Sequence, residues 1–312
     1  MSEPMAHPAY ERLRQVLPHA AVLLADNPGA MELEGTNTWV LRDDPARREA
    51  IIVDPGPLLE PHLQRIIEES GVVKAIVVTH RHDDHTGGAK RLSELTGAPV
   101  YAVDPTFRLG TEGLGEGDVL SAAGIDVHIM ATPGHTTDSV SLLLGAPGAP
   151  EGILTGDMVL GRGTTVVAFP DGALEPYLAS IDRMRMLGEI PVLPGHGPEL
   201  TSIADIAAYY LSHRTERLAQ VRAARARIGL DATARQIVDL VYADVAENVK
   251  RAAAASTKAQ LAYLDLRDGR EPQSGRLAYA TEAEAQADEA EFERYRAERD
   301  AFLAERNARG RQ

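Results

Sequence analysis

The chain of 312 residues carries 46 Asp and Glu against 32 Lys and Arg, a formal net charge of -14. That balance argues against general attraction to nucleic acid or to an anionic membrane, and leaves only a local basic groove for either. The absence of cysteine excludes disulfides and thiol catalysis, while 44% apolar residues with only 4% aromatics imply a sizeable core built mostly from Val, Leu, Ile and Ala.

The length allows one large domain with an appendage, or two domains. Met1 to Gln15 is polar and charged and lacks the apolar stretch of a signal peptide. No apolar run approaches a membrane span, so a cytoplasmic protein with no membrane partner is expected. Ala20 to Leu24, Thr38 to Leu41 and Ile51 to Asp54 read as strands. Glu60 to Ser70 reads as a helix with Leu63, Ile66 and Ile67 on one face. Ala75-Ile76-Val77-Val78 is a β-branched run that reads as a buried strand. It feeds Thr79-His80-Arg81-His82-Asp83-Asp84-His85, closed by Thr86-Gly87-Gly88. A helix from about Gly88 to Thr96, a strand from Val100 to Val103, a β-rich stretch from Asp118 to Leu144 and a helix from Glu175 to Leu187 follow.

Beyond Ser202 the character changes. Ile203 to Ile228 is a long helical pattern ended by Gly229, carrying His213, Arg214, Arg217, Arg222, Arg225 and Arg227. The spacing reads as a solvated basic face; in the sharper reading His213 or Arg214 touches the rim of a site. Asp231 to Leu264 is a compact helical segment opened by capping residues. Thr281 to Gln312 is rich in Ala, Glu and Arg and reads as an exposed helix or partly disordered tail, which Phe292, Tyr295 and Phe302 could dock.

The chemistry lies in the histidine-rich run. Imidazole and carboxylate are good ligands for a divalent ion such as zinc, and three histidines with two aspartates behind a buried strand are hard to place as solvated surface. The device recurs. A strand, then small or turn residues, then a ligand type appears in Ala131-Thr132-Pro133-Gly134-His135, in Ile153-Leu154-Thr155-Gly156-Asp157 and in Pro191-Val192-Leu193-Pro194-Gly195-His196. Each alone is weak; together, in this order, they are specific.

The ordered set His80, His82, Asp84, His85, His135, Asp157 and His196 resembles the metallo-β-lactamase superfamily, with Asp54 of Ile51-Ile52-Val53-Asp54-Pro55-Gly56 matching its first strand-end motif. The resemblance covers roughly residues 19 to 215 and implies an α/β fold, the four-layer αβ/βα sandwich. By analogy His80, His82 and His135 hold one zinc, Asp84, His85 and His196 the second, and Asp157 bridges both; iron or manganese are the other metals considered. Asp54 is expected behind the ligands. A water between two such ions is acidified to a pKa of about 7 and becomes a hydroxide nucleophile, with Asp84 as its orienting partner and proton relay.

The segment after residue 215 resembles the small winged-helix appendage of one β-lactamase-like group, which includes a mitochondrial endoribonuclease; Gly163-Thr164-Thr165-Val166 and His213-Arg214 look like that group too. The expected organisation is a catalytic domain over 1–215, a helical, winged-helix-like appendage over 216–272 and a charged helix or tail over 273–312. Loops such as Glu32 to Thr38 and Gly161 to Val167 are expected to line the cleft and carry specificity.

Several relatives are argued down. Class B1 and B2 lactamases use a cysteine that is absent here, and class B3 enzymes usually lack the bridging aspartate. The oxygen-reducing flavoproteins carry a flavodoxin domain, β-CASP nucleases an inserted domain, and glyoxalase II a set of glutathione-binding basic residues; none is recognisable. The reading is therefore a metal-dependent hydrolase of a small ester, thioester or lactone. The alternative is a phosphodiesterase on single-stranded RNA guided by Arg214, Arg217, Arg222 and Arg225. A mononuclear iron dioxygenase, a weak β-lactamase and a vestigial site are lesser readings, and a homo-oligomer is left open.

Overall fold

A computed structural model describes residues 10–146, 148–243, 247–272, 294, 297, 298 and 300–308. Two sheets carry the architecture. In the first, six strands lie in chain order: β1 (Arg14–Leu17), β2 (Ala20–Leu24), β3 (Asn37–Leu41), β4 (Glu49–Val53), β5 (Val72–Val77) and β6 (Val100–Tyr101). The pairs from β1 to β4 are antiparallel, and β4, β5 and β6 run parallel. The second sheet orders five strands as β11-β10-β9-β8-β7. Its strands are β7 (Val119–Ala122), β8 (Ile125–Ala131), β9 (Val140–Ala146), β10 (Ala149–Gly156) and β11 (Val192–Pro194).

The alternation of side chains along each strand explains the layers. Val22, Trp39, Ile51, Val53 and Val77 on one face of the first sheet meet Val127, Ile129, Leu142 and Leu154 of the second. The opposite face of the first sheet buries Leu23, Ile52 and Ile76 against Leu63 and Ile66 of α1 (Glu60–Ser70) and Leu92 of α3 (Ala89–Thr96). The outer face of the second sheet buries Ile153 and Val192 against Tyr177, Ile181 and Met184 of α4 (Leu174–Arg185) and Tyr210 of α5 (Ile203–Ile228). Helix, sheet, sheet and helix thus form the αβ/βα sandwich.

Between β5 and α3 a single helical turn, α2 (Asp83–Thr86), interrupts what the sequence suggests is a loop. α5 runs through the expected boundary at residue 215. Its far half packs with α6 (Ala234–Val241) and α7 (Glu247–Arg267) around Val221, Ile237 and Leu261. Described residues 229–272 form helices and no strand.

This arrangement corrects the solvated basic face in part. Arg214 and Arg225 are buried, and Arg225 pairs with the buried Asp265 at 2.5 Å. Arg217 lies over the Tyr242 ring and Arg222 is 3.5 Å from Asp268. The covering helices take up Arg217 and Arg225, while Arg222 and Arg227 stay exposed.

Residues 300–308 are helical and lie against the body. Leu303 is buried, Asn307 Nδ2 donates to Leu58 O at 3.0 Å, and Arg306 pairs with Asp26. Of the three aromatic residues expected to dock the tail, Phe302 is in this helix, while Phe292 and Tyr295 lie outside the described residues. No helix among the described residues is long and apolar enough to cross a membrane.

Candidate metal centre

Asp54 and four of the candidate ligands follow the C-terminal ends of strands: Asp54 after β4, His80 after β5, His135 after β8, Asp157 after β10 and His196 after β11. The strands are fixed by the core, so the residues at their ends converge without help from long loops. The α2 turn does the rest. His85 N and Thr86 N both bond to His82 O, which turns Asp84 and His85 away from the direction of His82.

The seven side chains form two groups. His80, His82, His135 and Asp157 present ligand atoms within 4.8 Å of one another, and so do Asp84, His85 and His196. Nδ1 of His82 lies 3.0 Å from Nε2 of His80 and 3.0 Å from Nε2 of His135. Nε2 of His85 is 3.1 Å from Nε2 of His196, and Asp84 Oδ2 is 3.0 Å from the latter. Asp157 stands between the groups. Its Oδ1 is 3.4 Å from Nε2 of both His85 and His196, and its Oδ2 is 3.7 Å from Nε2 of His135.

The opposite ring nitrogens are tied to fixed partners. Nδ1 of His85 donates to Asp54 Oδ2 at 2.8 Å, that of His135 to Val166 O at 2.7 Å, and that of His196 to Gly35 O at 3.0 Å. Nδ1 of His80 sits 3.1 Å from Thr79 Oγ1. A proton held on Nδ1 by an acceptor leaves Nε2 as a lone pair aimed inward, the arrangement that orients metal-binding imidazoles.

These donors fit a divalent metal on their chemistry. Lone pairs that face one another at 3.0 Å repel unless a proton or a cation lies between them. Ligands about 2.0–2.1 Å from one tetrahedral ion sit roughly 3.3 Å apart, close to what is seen. Asp157 Oδ1 is buried and has no hydrogen-bond partner among the described residues, as expected of an atom shaped for an ion. Gly195 leaves room for it: a Cβ there would fall 2.7 Å from Asp157 Oδ1 and 2.8 Å from His85 Cε1.

Charge divides the cluster. Burial, with His85 nearby, holds His80 well below the usual imidazole range, and burial pushes His135 down to about 4. Burial also opposes charge on His85 and His196, but carboxylates reverse it. Asp84, Asp54 and Asp157 hold His85 well above its usual range, and Asp157 with Asp84 pushes His196 up to about 10. Asp84 and Asp157 stay well below the usual carboxylate range because His85 and His196 outweigh their burial.

Asp54 lies against His85 and Thr79. It is buried at a positive φ of 52°, and both its oxygens are used: Oδ1 accepts from Thr79 N at 2.8 Å, Oδ2 from Thr79 Oγ1 at 2.7 Å and from His85. Arg214 is not at the rim. It is buried, lies over Tyr177 and donates to Thr165 O, whose hydroxyl is 3.2 Å from His135 Nδ1, so it backs that histidine through Thr165. His213 stacks on Tyr209 instead, with no contact to the cluster among the described residues. Asp83 is exposed.

Other positioning residues had no motif to mark them. Asn37 Nδ2 donates to Pro194 O at 3.0 Å and Gly197 O at 2.8 Å, and Trp39 Nε1 donates to Pro194 O at 3.1 Å, fixing the turn that carries His196. Thr36 Oγ1 donates to Asp84 O at 3.0 Å. The signal available was the stretch Gly35-Thr36-Asn37-Thr38-Trp39, polar hydrogen-bonding residues set into a strand.

A family model described as metallo-beta-lactamase superfamily matches residues 31–196. The chain is 31% identical to a beta-lactamase-like protein 2 homolog of Drosophila melanogaster over 78% of this chain and 86% of that one. It is 31% identical to an atrochrysone carboxyl ACP thioesterase of Aspergillus chevalieri over 79% of this chain and 80% of that one. Among solved structures, a beta-lactamase domain protein from Burkholderia ambifaria superimposes with a TM-score of 0.68 at 23% identity, covering 85% of this chain and 91% of the other. A metallo-beta-lactamase family protein from Thermus thermophilus gives 0.65 at 22%, covering 81% and 95%. At such identities these two likenesses speak for the fold.

Proposed function

The chain belongs to the metallo-beta-lactamase superfamily and is a metal-dependent hydrolase; from that premise we propose that it is a dinuclear zinc enzyme cleaving a small thioester or ester. The observation that carries the reading is the convergence of seven inward-facing donors in two groups joined by Asp157. In this reading His80, His82 and His135 hold one ion, Asp84, His85 and His196 the other, and Asp157 serves both. Such ions supply an acidified water and polarise the carbonyl under attack.

The protein's own groups orient and move protons. Asp54, Val166 O and Gly35 O hold a proton of His85, His135 and His196 on Nδ1, so Nε2 is the nitrogen turned inward to bind. Asp84 is the proton carrier: the oxygen not turned to His196 can take a proton and return it to the leaving group. The catalytic unit is residues 1–215, with 216–272 as a helical appendage that packs on it.

Two findings favour a small thioester over RNA. A relative that aligns over most of this chain is named for thioester cleavage. Of the arginines that would guide a polyanion, Arg214 and Arg225 are buried and Arg217 lies over the Tyr242 ring, while Arg222 alone is exposed, 3.5 Å from Asp268. The test is elemental analysis of protein purified without chelator, then turnover of the zinc form on thioesters, esters, lactones, β-lactams and a short single-stranded RNA. Two zinc ions per chain with thioester turnover is the expected result. Salt-sensitive RNA cleavage without thioester turnover overturns the substrate class, and one ion per chain after zinc is supplied overturns the dinuclear site.

A further inference from the structure

Arg81 stands in the chain between two ligands of the first group, His80 and His82, yet its guanidinium is spent elsewhere. Nε donates to Asp138 Oδ1 at 3.2 Å and Nη2 donates to Thr137 Oγ1 at 3.0 Å. Nη1 pairs with Asp171 Oδ1 at 3.3 Å, and Nη2 lies 3.7 Å from Asp104 Oδ2. We propose that Arg81 is a positioning residue for the first ligand group. It clamps the segment of His80 and His82 to that of His135 and so sets the affinity for the ion these histidines hold. The proposal rests on the dinuclear reading above.

The segments it joins are those that build this one group. Thr137 and Asp138 come just after His135 in the chain. Asp171 accepts from Thr137 Oγ1 at 3.1 Å and ends the loop that carries Val166, whose carbonyl holds His135 Nδ1. At the strand ends Val140 N donates to Thr79 O at 2.9 Å, a backbone bond between the same two segments. Arg81 supplies a further tie beyond it. Two ties fix the angle between segments where one bond would leave a hinge, and the 3.0 Å approach of His82 Nδ1 to His135 Nε2 depends on that angle.

The second group is held by other means: the α2 turn, Asp54 behind His85 and Gly35 O behind His196. Among the described residues the Arg81 side chain bonds to none of these. Its effect on the two ions is therefore unequal.

The chemistry of the clamp requires arginine. Three carboxylates converge on one guanidinium; Asp138 is buried, and Asp104 and Asp171 are half-buried. Without the cation they face one another, and Asp138 is left buried without its partner, which drives the segments apart. A planar guanidinium holds several acceptors at fixed angles, whereas an ammonium is a point charge that can neutralise them without fixing their directions.

The experiment measures zinc affinity by competition with a chelator in full-length protein. Two backgrounds separate the groups: His196→Ala, which leaves the first intact, and His82→Ala, which leaves the second. Arg81→Gln should lower affinity by about 10- to 100-fold in the first background and leave it unchanged in the second. A merely structural role would lower the melting temperature of the metal-free protein and both affinities together. Arg81→Lys keeps a cation among the carboxylates, so it should melt like the unaltered protein and still bind the first ion more weakly. Equal losses in the two backgrounds, no loss in the first, or full restoration by lysine would overturn the proposal. So would complete loss of metal from His196→Ala, because the first group would then hold no ion of its own. One zinc per unaltered chain after zinc is supplied would discard the dinuclear reading, and the His196→Ala comparison would still decide the role of Arg81.

Discussion

His85 Nδ1 and Asp54 Oδ2 are joined by a fully buried 2.8 Å hydrogen bond, and the same carboxylate holds Thr79 through both its backbone N–H and its hydroxyl. One side chain thereby sets the imidazole of one ligand and the strand end that launches another. Asparagine tolerates the positive φ of 52° at this position as aspartate does, so Asp54→Asn isolates the hydrogen bonds from backbone strain. The expected outcome is a folded protein whose metal affinity falls by about 10- to 100-fold, measured by competition with a chelator. Affinity equal to that of the unaltered protein would reduce Asp54 to a packing residue.

Asp157→Ala and Asp83→Ala separate a central carboxylate from one that points away. Asp157 faces His85, His196 and His135, whereas Asp83 is exposed and belongs to neither ligand group. Removing the first takes away negative charge between the two groups, so metal content should drop and kcat should fall by at least about 100-fold. Asp83→Ala should retain its metal. Equal metal loss in the two variants would mean that the ligands have been misassigned.

Much of this centre was legible because metal ligands need particular side chains at particular strand ends. His80 through His196 and Asp54 lie together where the motifs suggested, and the helices over Glu60–Ser70 and Ile203–Ile228 have the expected limits. What escaped was anything decided by a distant partner. Arginines on one helical face look solvated until another helix covers them, as Asp265 of α7 covers Arg225. β1 pairs at a sheet edge with a half-exposed pattern that gives no clear alternation. The backbone acceptors Val166 O and Gly35 O carry no side-chain signature at all.

Gly195→Ala tests whether the space at Asp157 is used. A methyl group would arrive 2.7 Å from Asp157 Oδ1 and 2.8 Å from His85 Cε1, contacts that require both groups to move. The overpacking should cost about 1–3 kcal/mol of stability. More tellingly, bound metal should decrease, because the two displaced atoms belong to different ligand groups. Full metal occupancy, measured by elemental analysis, would show that the ligands have slack the geometry does not suggest.

The metal-free protein should be most stable near pH ~6.5, the ordinary imidazole value. His196, raised to about 10, and His85, also raised, bind protons more tightly folded than unfolded. Their contribution is full below pH ~6.5 and is lost as pH rises towards about 10. His135, lowered to about 4, and His80, also lowered, act in the opposite sense, contributing fully above pH ~6.5 and losing that contribution as pH falls towards about 4. Thermal melts of chelator-treated protein from pH 4.5 to 9.5 should therefore pass through a maximum. Loading zinc at pH 7.5 must also expel protons from His85 and His196, a release readable in calorimetry across buffers of different ionisation enthalpy. A melting temperature that climbs steadily to pH 9.5 would contradict the charge division within the cluster.

A helix start in this protein is completed from the other end of the chain. α1 begins after Leu59, which has no side chain able to cap it, and Glu60 N is instead bonded to Asn307 Oδ1 at 2.5 Å. The same amide donates from Nδ2 to Leu58 O at 3.0 Å, so Asn307 serves an orphan N–H and a loop carbonyl at once. The sequence suggested an exposed helix or partly disordered tail; this contact couples residues 300–308 to the first helix. Asn307→Ala should cost about 0.5–2 kcal/mol, by analogy with the loss of a cap, and lower the melting temperature by roughly 2–4 °C per kcal/mol. Amide exchange at Glu60 should speed up in the same variant, because its acceptor is gone. Metal content should not change, since α1 supplies no ligand. An unaltered exchange rate at Glu60 would show that the terminal helix does not rest on α1 in solution.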